Sequence, residues 1–314
     1  MTEVKMNKYK PEGCLYKTAE NQRLISSEEG LFEALEKNII LEARVAVCDS
    51  SHNLIIDLPC IKGIIRRDDG AIGITEGSTR DIALISRVNK MVCFKVVQLE
   101  RDEYGRLFAT LSRRAAQEEC MEQYISTLSS GDIIDAKITH LEQFGCFVDI
   151  GCGIPSLIPI DTISVSRISH PSDRFKVGQE IIAAVVSNIN NRICLTHKEL
   201  LGTWEENAAA FEVGETVSGI VRSVEEYGIF VELAPNLAGL AEPKSGIKTG
   251  QNVSVYIKAL IPEKMKVKLI IVDTCEDSEP NLSFKYFCDS KHIDRWIYTP
   301  ESSEKLIETI FVSL

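Results

Sequence analysis

The chain has 314 residues, of which 44% are hydrophobic and 26% charged, and its formal net charge is −11. This composition is that of an ordinary globular protein with about two or three domains. The longest apolar run, 181–186, is far shorter than the ~20 residues of a membrane-spanning helix, and ten cysteines without a C-x-x-C pair argue against a disulfide scaffold or a usual zinc site. We therefore expect reduced thiols, a cytoplasmic location, no membrane segment, no metal and no cofactor.

Residues 1–38 form an N-terminal segment in which a short helix is predicted. The start of the chain is polar and lysine-rich rather than apolar, so we expect no secretory signal peptide. Ser26 and Glu29 have the spacing of a capping box, in which a hydroxyl and a carboxylate each accept a backbone N–H. A helix would therefore begin there, ahead of Leu31, Phe32 and Leu35.

Residues 39–114 contain short runs rich in Val, Ile and Phe, divided by glycine and polar turns. Such runs at close spacing predict a small barrel of short strands. In the strand around LIID, Leu54 and Ile56 would point inward, while Ile55 and Asp57 would point outward, because successive side chains alternate between two faces. Positive charge would come from four arginines: Arg66, Arg67, Arg113 and Arg114.

A stronger internal repeat follows a predicted helical linker at 115–130. Residues 131–150 read GDIIDAKITHLEQFGCFVDI, and residues 214–233 read GETVSGIVRSVEEYGIFVEL. Glycines, aromatic residues, a valine and an acidic residue recur in the same order, which chance explains poorly. The repeats span 131–200 and 214–273, and the later one has a shorter loop.

The linker between these two repeats, 201–213, is also predicted to be helical. Thr203 and Glu206 have capping-box spacing, and good helix formers follow them. The final segment, 274–314, is rich in aromatic residues and too apolar for a disordered tail, so we expect it to pack on the third repeat. A partner surface involving Trp296 is the alternative.

The alternation of side chains also predicts which residues of the stronger repeats face solvent. In GCFVDI, Cys146, Val148 and Ile150 share one face, and Phe147 and Asp149 share the other. A buried, unpaired carboxylate would be costly, so we expect the face with Asp149 to be solvated. The later repeat follows the same pattern, with Phe230 and Glu232 outward and with three apolar residues inward: Ile229, Val231 and Leu233.

Five short strands per repeat, with the longest insertion after the third, indicate an OB-fold. The fold class predicted for the chain is therefore all-β, with three tandem five-stranded OB barrels, helical connectors and a C-terminal extension. The three repeats together carry no net charge, so the excess acid lies in the connectors and the ends. The whole-chain charge consequently says little about any one binding face.

The pattern G-x-x-(V/I)-x-x-x-(I/V), then (F/Y)-G-x-F-V-(D/E)-(I/L), and finally K-(V/T)-G-Q resembles the S-one RNA-binding domain. This is the OB-fold repeat of the ribosomal protein S-one family. Residues 131–200 match best, 214–273 match well in their first half, and 39–114 look like a degenerate copy. Tandem copies without a catalytic domain are similar to the shortened S-one homologues of clostridia-like bacteria.

The resemblance implies an RNA surface made of two aromatic residues, a histidine, an acidic residue and a late basic residue, and the first repeat lacks the aromatic residues. Exposed aromatic rings are also what single-stranded nucleic acid needs, since every base has a face that can stack. The position where the family has a histidine is Pro159 in the second repeat and Glu242 in the third. We expect the second repeat to carry the better site, and the predicted RNA-binding residues are Phe144, Phe147, Arg192, Lys198, Tyr227, Phe230, Lys266, Arg66 and Arg67.

No phosphate-binding loop, dinucleotide motif or nucleophile elbow occurs, so we predict neither an enzyme nor a small-molecule substrate. The predicted function is non-catalytic binding of single-stranded RNA, with mRNA and the small ribosomal subunit as partners in translation. One alternative is a protein-interaction adaptor that uses the repeats and the acidic linkers. Another is an accessory RNA-binding component of an RNA-degradation complex.

Overall fold

The structure is a computed structural model that describes residues 8–101, 103–275 and 284–312. It divides into two compact units. The first consists of Met1–Thr127 together with Asp149–Pro155, and the second of Leu128–Val148 together with Ser156–Leu314. Part of the predicted C-terminal extension, 276–283 and 313–314, lies outside the described residues, as do residues 1–7.

The first unit contains the first barrel, which is closed by five strands in the order β1-β2-β3-β5-β4. The strands are β1 Leu41–Cys48, β2 Leu54–Asp57, β3 Lys62–Ile65, β4 Met91–Arg101 and β5 Leu107–Ser112. The short helix α3, Ile82–Ile85, lies in the long connection after the third strand. Leu54 and Ile56 are fully buried in the barrel core, as the alternation of side chains predicts.

Two helices precede this barrel and one follows it: α1 Ala19–Ile25, α2 Glu28–Glu36 and α4 Arg113–Gln123. The prediction of one helix opened by Ser26 was wrong, because Ser26 ends α1 and Ser27 begins α2. The Ser27 hydroxyl accepts the Gly30 N–H at 3.0 Å and so satisfies an otherwise unpaired donor of the first turn. Leu31 packs into the core of the first barrel.

The second unit contains most of the second barrel and the whole third barrel. The second barrel closes in the order β10-β8-β7-β6-β9 and the third in the order β11-β12-β13-β15-β14. In both barrels the longest connection follows the third strand, as predicted for an OB-fold. The strands are β6 Ile133–Glu142, β7 Gly145–Asp149, β8 Pro155–Pro159, β9 Glu180–Ile189, β10 Arg192–Thr196, β11 Thr216–Glu225, β12 Gly228–Ala234, β13 Leu237–Ala241, β14 Asn252–Ile261 and β15 Lys266–Cys275.

Helix α5, Trp204–Ala208, begins at the predicted capping box. The Thr203 hydroxyl accepts the Glu206 N–H at 3.1 Å, and the Glu206 carboxylate accepts the Thr203 N–H at 2.7 Å. Six 3-10 helices complete the described helical segments: Arg67–Asp69, Ile125–Thr127, Ile160–Thr162, Pro171–Asp173, Lys198–Leu201 and Pro262–Lys264. Among the described residues, no helix is both long and apolar enough to cross a membrane.

The C-terminal segment of the second unit forms a small antiparallel sheet of β16, Arg295–Ile297, and β17, Glu308–Ile310. Trp296 and Tyr298 are buried in the core cluster of the third barrel. The Tyr298 hydroxyl also donates to the Asn236 carbonyl at 2.7 Å. Trp296 is therefore part of the third-barrel core in this structure rather than an exposed partner surface.

Candidate nucleic-acid interface

The two acidic residues that were predicted to face solvent are buried. Asp149 on β7 is 4% exposed and Glu232 on β12 is 5% exposed, so this prediction was wrong. On the apolar side of the pattern Val148 and Val231 are fully buried, as predicted, whereas Leu233 is only half-buried. The error came from assuming that a buried carboxylate would be unpaired, whereas both carboxylates have several partners.

Glu232 is held by two arginines within the second unit. Its carboxylate accepts hydrogen bonds from Arg174, in the loop after β8, and from Arg222 Nε on β11 at 2.7 Å. Arg222 also forms an ion pair with Asp173 at 3.5 Å. Burial lowers the pKa of Arg174, and the Glu232 charge opposes that shift. Glu232 therefore links the second barrel to the third instead of facing solvent.

Asp149 has an equivalent structural role within the first unit. Its Oδ2 accepts the Glu12 N–H at 2.7 Å, and its Oδ1 accepts the N–H groups of Gly151 and Gly153 at 2.9 and 3.0 Å. Burial and the nearby Glu12 carboxylate raise the pKa of Asp149 above its ordinary value. Asp149, at the acidic position of the repeat, thus accepts hydrogen bonds from three backbone N–H groups.

Each of the second and third barrels carries a pair of aromatic rings in the same geometry. Phe144 and Phe147 meet edge to face, with centroids 6.0 Å apart and ring planes at 88°. Tyr227 and Phe230 do so at 6.2 Å and 87°. The first ring of each pair is exposed, Phe144 by 56% and Tyr227 by 68%, and the second is half-buried. Each pair therefore offers an exposed ring that packs against a half-buried one.

The glycine between the rings is required by the next strand. A Cβ on Gly145 would lie 2.4 Å from the Ile158 carbonyl oxygen, and one on Gly228 would lie 2.7 Å from the Ala241 carbonyl oxygen. Both distances are shorter than a non-bonded contact allows, so only glycine fits without moving the backbone. The (F/Y)-G-x-F motif therefore places its two rings where the backbone lies unusually close to the next strand.

An open groove of about 690 Å³ lies on the third barrel beside its aromatic pair. Phe230 on β12 is paired with Leu240 on β13, and Leu240 is paired with Lys268 on β15. Lys266 lies two residues before Lys268 and so shares its exposed face. Tyr227 and all four of these residues line the groove, which therefore combines aromatic surface with positive charge.

The second barrel has the same frame with less positive charge. Arg192 begins β10 just as Lys266 begins β15, and its side chain is exposed. At the position of Lys268 the second barrel has Cys194, which pairs with Leu157 across β10 and β8. Lys198 is half-buried in the 3-10 helix after β10. That the second barrel carries the better RNA site stays a prediction.

The first barrel lacks the aromatic pair. Its equivalent row runs from Ile55 through Ile64 to Thr110 and contains no ring. Arg66 is exposed, but Arg67 Nε donates to Asp81 Oδ1 at 2.7 Å. Arg67 is therefore partly neutralised by a neighbouring carboxylate.

Arg113 does not add surface charge, contrary to the sequence prediction. It is 2% exposed, and its Nε donates to Glu12 Oε1 at 2.7 Å. Arg87 Nη1 approaches the other Glu12 oxygen at 3.2 Å. The two arginines lower the pKa of Glu12 despite its burial, so its carboxylate stays ionised inside the first unit.

No group of three or more metal-ligating side chains was found in the part of the chain that the structure describes.

Three closed five-stranded barrels, two of them with a paired aromatic face, define a tandem OB-fold protein. The S1 RNA binding domain family matches residues 127–198. The chain is homologous over most of its length to the bacterial ribosomal proteins bS1.

The chain is similar to three known proteins. Small ribosomal subunit protein bS1 of Staphylococcus aureus is 27% identical over 301 residues, which cover 89% of this chain and 73% of the relative. The bS1 homolog of Bacillus subtilis is 31% identical over 198 residues, which cover 57% of this chain and 51% of the relative. A solved multidomain protein with nucleic acid binding domains, from Streptococcus pneumoniae, is 13% identical, with 77% and 76% of the two chains covered and a TM-score of 0.25.

Proposed function

We propose that this chain is a non-catalytic RNA-binding protein that holds single-stranded mRNA on or near the small ribosomal subunit. The observation that carries the proposal is the aromatic pair on the second and third barrels, with its exposed leading ring. Bases of a single strand can stack on such rings whatever their identity, whereas bases inside a duplex cannot reach them. The homology to bS1 supports the small subunit as the place of action.

The few positive charges near the aromatic pairs of the second and third barrels favour contact with a limited length of RNA backbone. Lys266 and Lys268 line the third-barrel groove, and Arg192 lies on the second barrel. These cations would neutralise only a few phosphates, and affinity would depend mainly on stacking. The proposed ligand is therefore an unpaired strand, bound without a cofactor or a small-molecule substrate.

We expect the full chain to bind single-stranded RNA in preference to duplex RNA of the same length. The affinity should fall with salt along a shallow slope of about two to four released counterions, because few cations face the RNA. A filter-binding titration of both RNAs at two salt concentrations measures this. Equal affinity for duplex, or a slope near that of a strongly basic protein, would contradict the proposal.

A further inference from the structure

An exposed ion pair lies inside the third-barrel groove. Glu242 follows β13 and Lys258 lies on β14, and their Oε1 and Nζ atoms are 3.3 Å apart. Both side chains line the groove, and they are 72% and 53% exposed. An exposed pair of this kind stabilises a fold by only about 0–1 kcal/mol. Its position therefore has more consequence for a charged ligand than for folding.

The other two lysines in the groove are not neutralised in this way. Within the described residues, neither Lys266 nor Lys268 has a carboxylate within salt-bridge distance. Lys268 lies in the same cross-strand row as Phe230. A strand stacked on the ring would thus place its backbone among three ammonium groups, one of which already has a carboxylate partner.

We propose that Glu242 is a negative determinant of RNA affinity in the third-barrel groove. Its carboxylate engages Lys258 and competes with an RNA phosphate for that ammonium group. It also repels the phosphate directly, since like charges a few ångströms apart interact unfavourably even in water. This inference rests on the proposed function, and it identifies one residue that limits how tightly that site holds RNA.

Glu242→Gln should tighten the binding of single-stranded RNA by about five-fold at low salt, the effect of one unit charge a few ångströms from a phosphate in water. The salt dependence should steepen by about one released counterion, because Lys258 becomes free to contact a phosphate. Fluorescence anisotropy with a labelled single-stranded RNA measures both. Glu205→Gln is the matched control, since Glu205 is an exposed carboxylate on α5 that does not line the groove. The affinity of this variant for single-stranded RNA should equal that of the wild-type chain.

A double-mutant cycle tests the competition itself. Lys258→Met should weaken RNA binding by less than about two-fold in the wild-type chain but by about five-fold in the Glu242→Gln background, where the lysine is free. Equal losses in both backgrounds would overturn the proposed competition. Weaker binding by Glu242→Gln would also overturn it, since the carboxylate would then contact a base. Failure of the wild-type chain to bind any RNA would instead reject the proposed function, which separates the two failures.

Discussion

Glu232→Gln is expected to destabilise the second unit by about 3–5 kcal/mol, because removing one partner of a buried ion pair leaves the other charge uncompensated. Glu232 is the only carboxylate that hydrogen-bonds to Arg174 among the described residues, and Arg174 is itself buried. The amide of glutamine keeps the shape of the side chain but removes its charge. Chemical denaturation, followed by circular dichroism, measures the free energy of unfolding.

The control for this variant is the same substitution at an exposed carboxylate. Glu242→Gln should change the free energy of unfolding by less than about 1 kcal/mol, because its ion pair is solvated. A comparably small loss for Glu232→Gln would show that the network of Glu232 with two arginines does not hold the second and third barrels together.

The second large effect is expected from removing the half-buried ring of each aromatic pair. The double variant Phe147→Ala/Phe230→Ala should weaken binding of single-stranded RNA by about 2–6 kcal/mol, since each stacked ring contributes about 1–3 kcal/mol. Each of these rings also packs edge to face against its exposed partner, so the exposed ring that remains loses that support. Filter binding measures the loss, and each single variant separates the two barrels.

Stability must be measured beside binding, because these rings are half-buried. A fully buried phenylalanine would cost about 3–5 kcal/mol when truncated, and we expect about half of that at each position. Tyr104→Ala is the control for loss of an exposed ring elsewhere, since Tyr104 lies in the turn between β4 and β5 of the first barrel. A folded double variant with unchanged RNA affinity would show that these faces do not bind RNA.

Much of the architecture could be predicted because it depends on local pattern. The alternation of apolar residues determines which side of each strand is buried, and Val148 and Val231 lie where that pattern places them. The (F/Y)-G-x-F motif predicted a recurring pair of rings, and the same edge-to-face geometry occurs in both barrels. The ordered repeat of short strands, with the longest insertion after the third, predicted the tandem barrels.

The environment of the acidic residues could not be predicted from the same pattern. Glu232 is buried because Arg174, 58 residues earlier, reaches it, and Asp149 is buried because the Glu12 N–H, 137 residues earlier, reaches it. Alternation along one strand contains no information about such distant partners. The groove includes Lys268, whose place in one cross-strand row with Leu240 and Phe230 follows from strand register across the barrel rather than from spacing along the chain.

The most direct test of RNA binding by the aromatic faces is to find which residues touch RNA. Single-stranded RNA containing 4-thiouridine, cross-linked by ultraviolet light to the full chain, would be mapped by mass spectrometry of the digested adducts. We predict adducts in the peptides that contain residues 144–147 and 227–230, because the exposed rings lie there. Adducts confined to the first barrel, or to the C-terminal sheet of β16 and β17, would contradict the account.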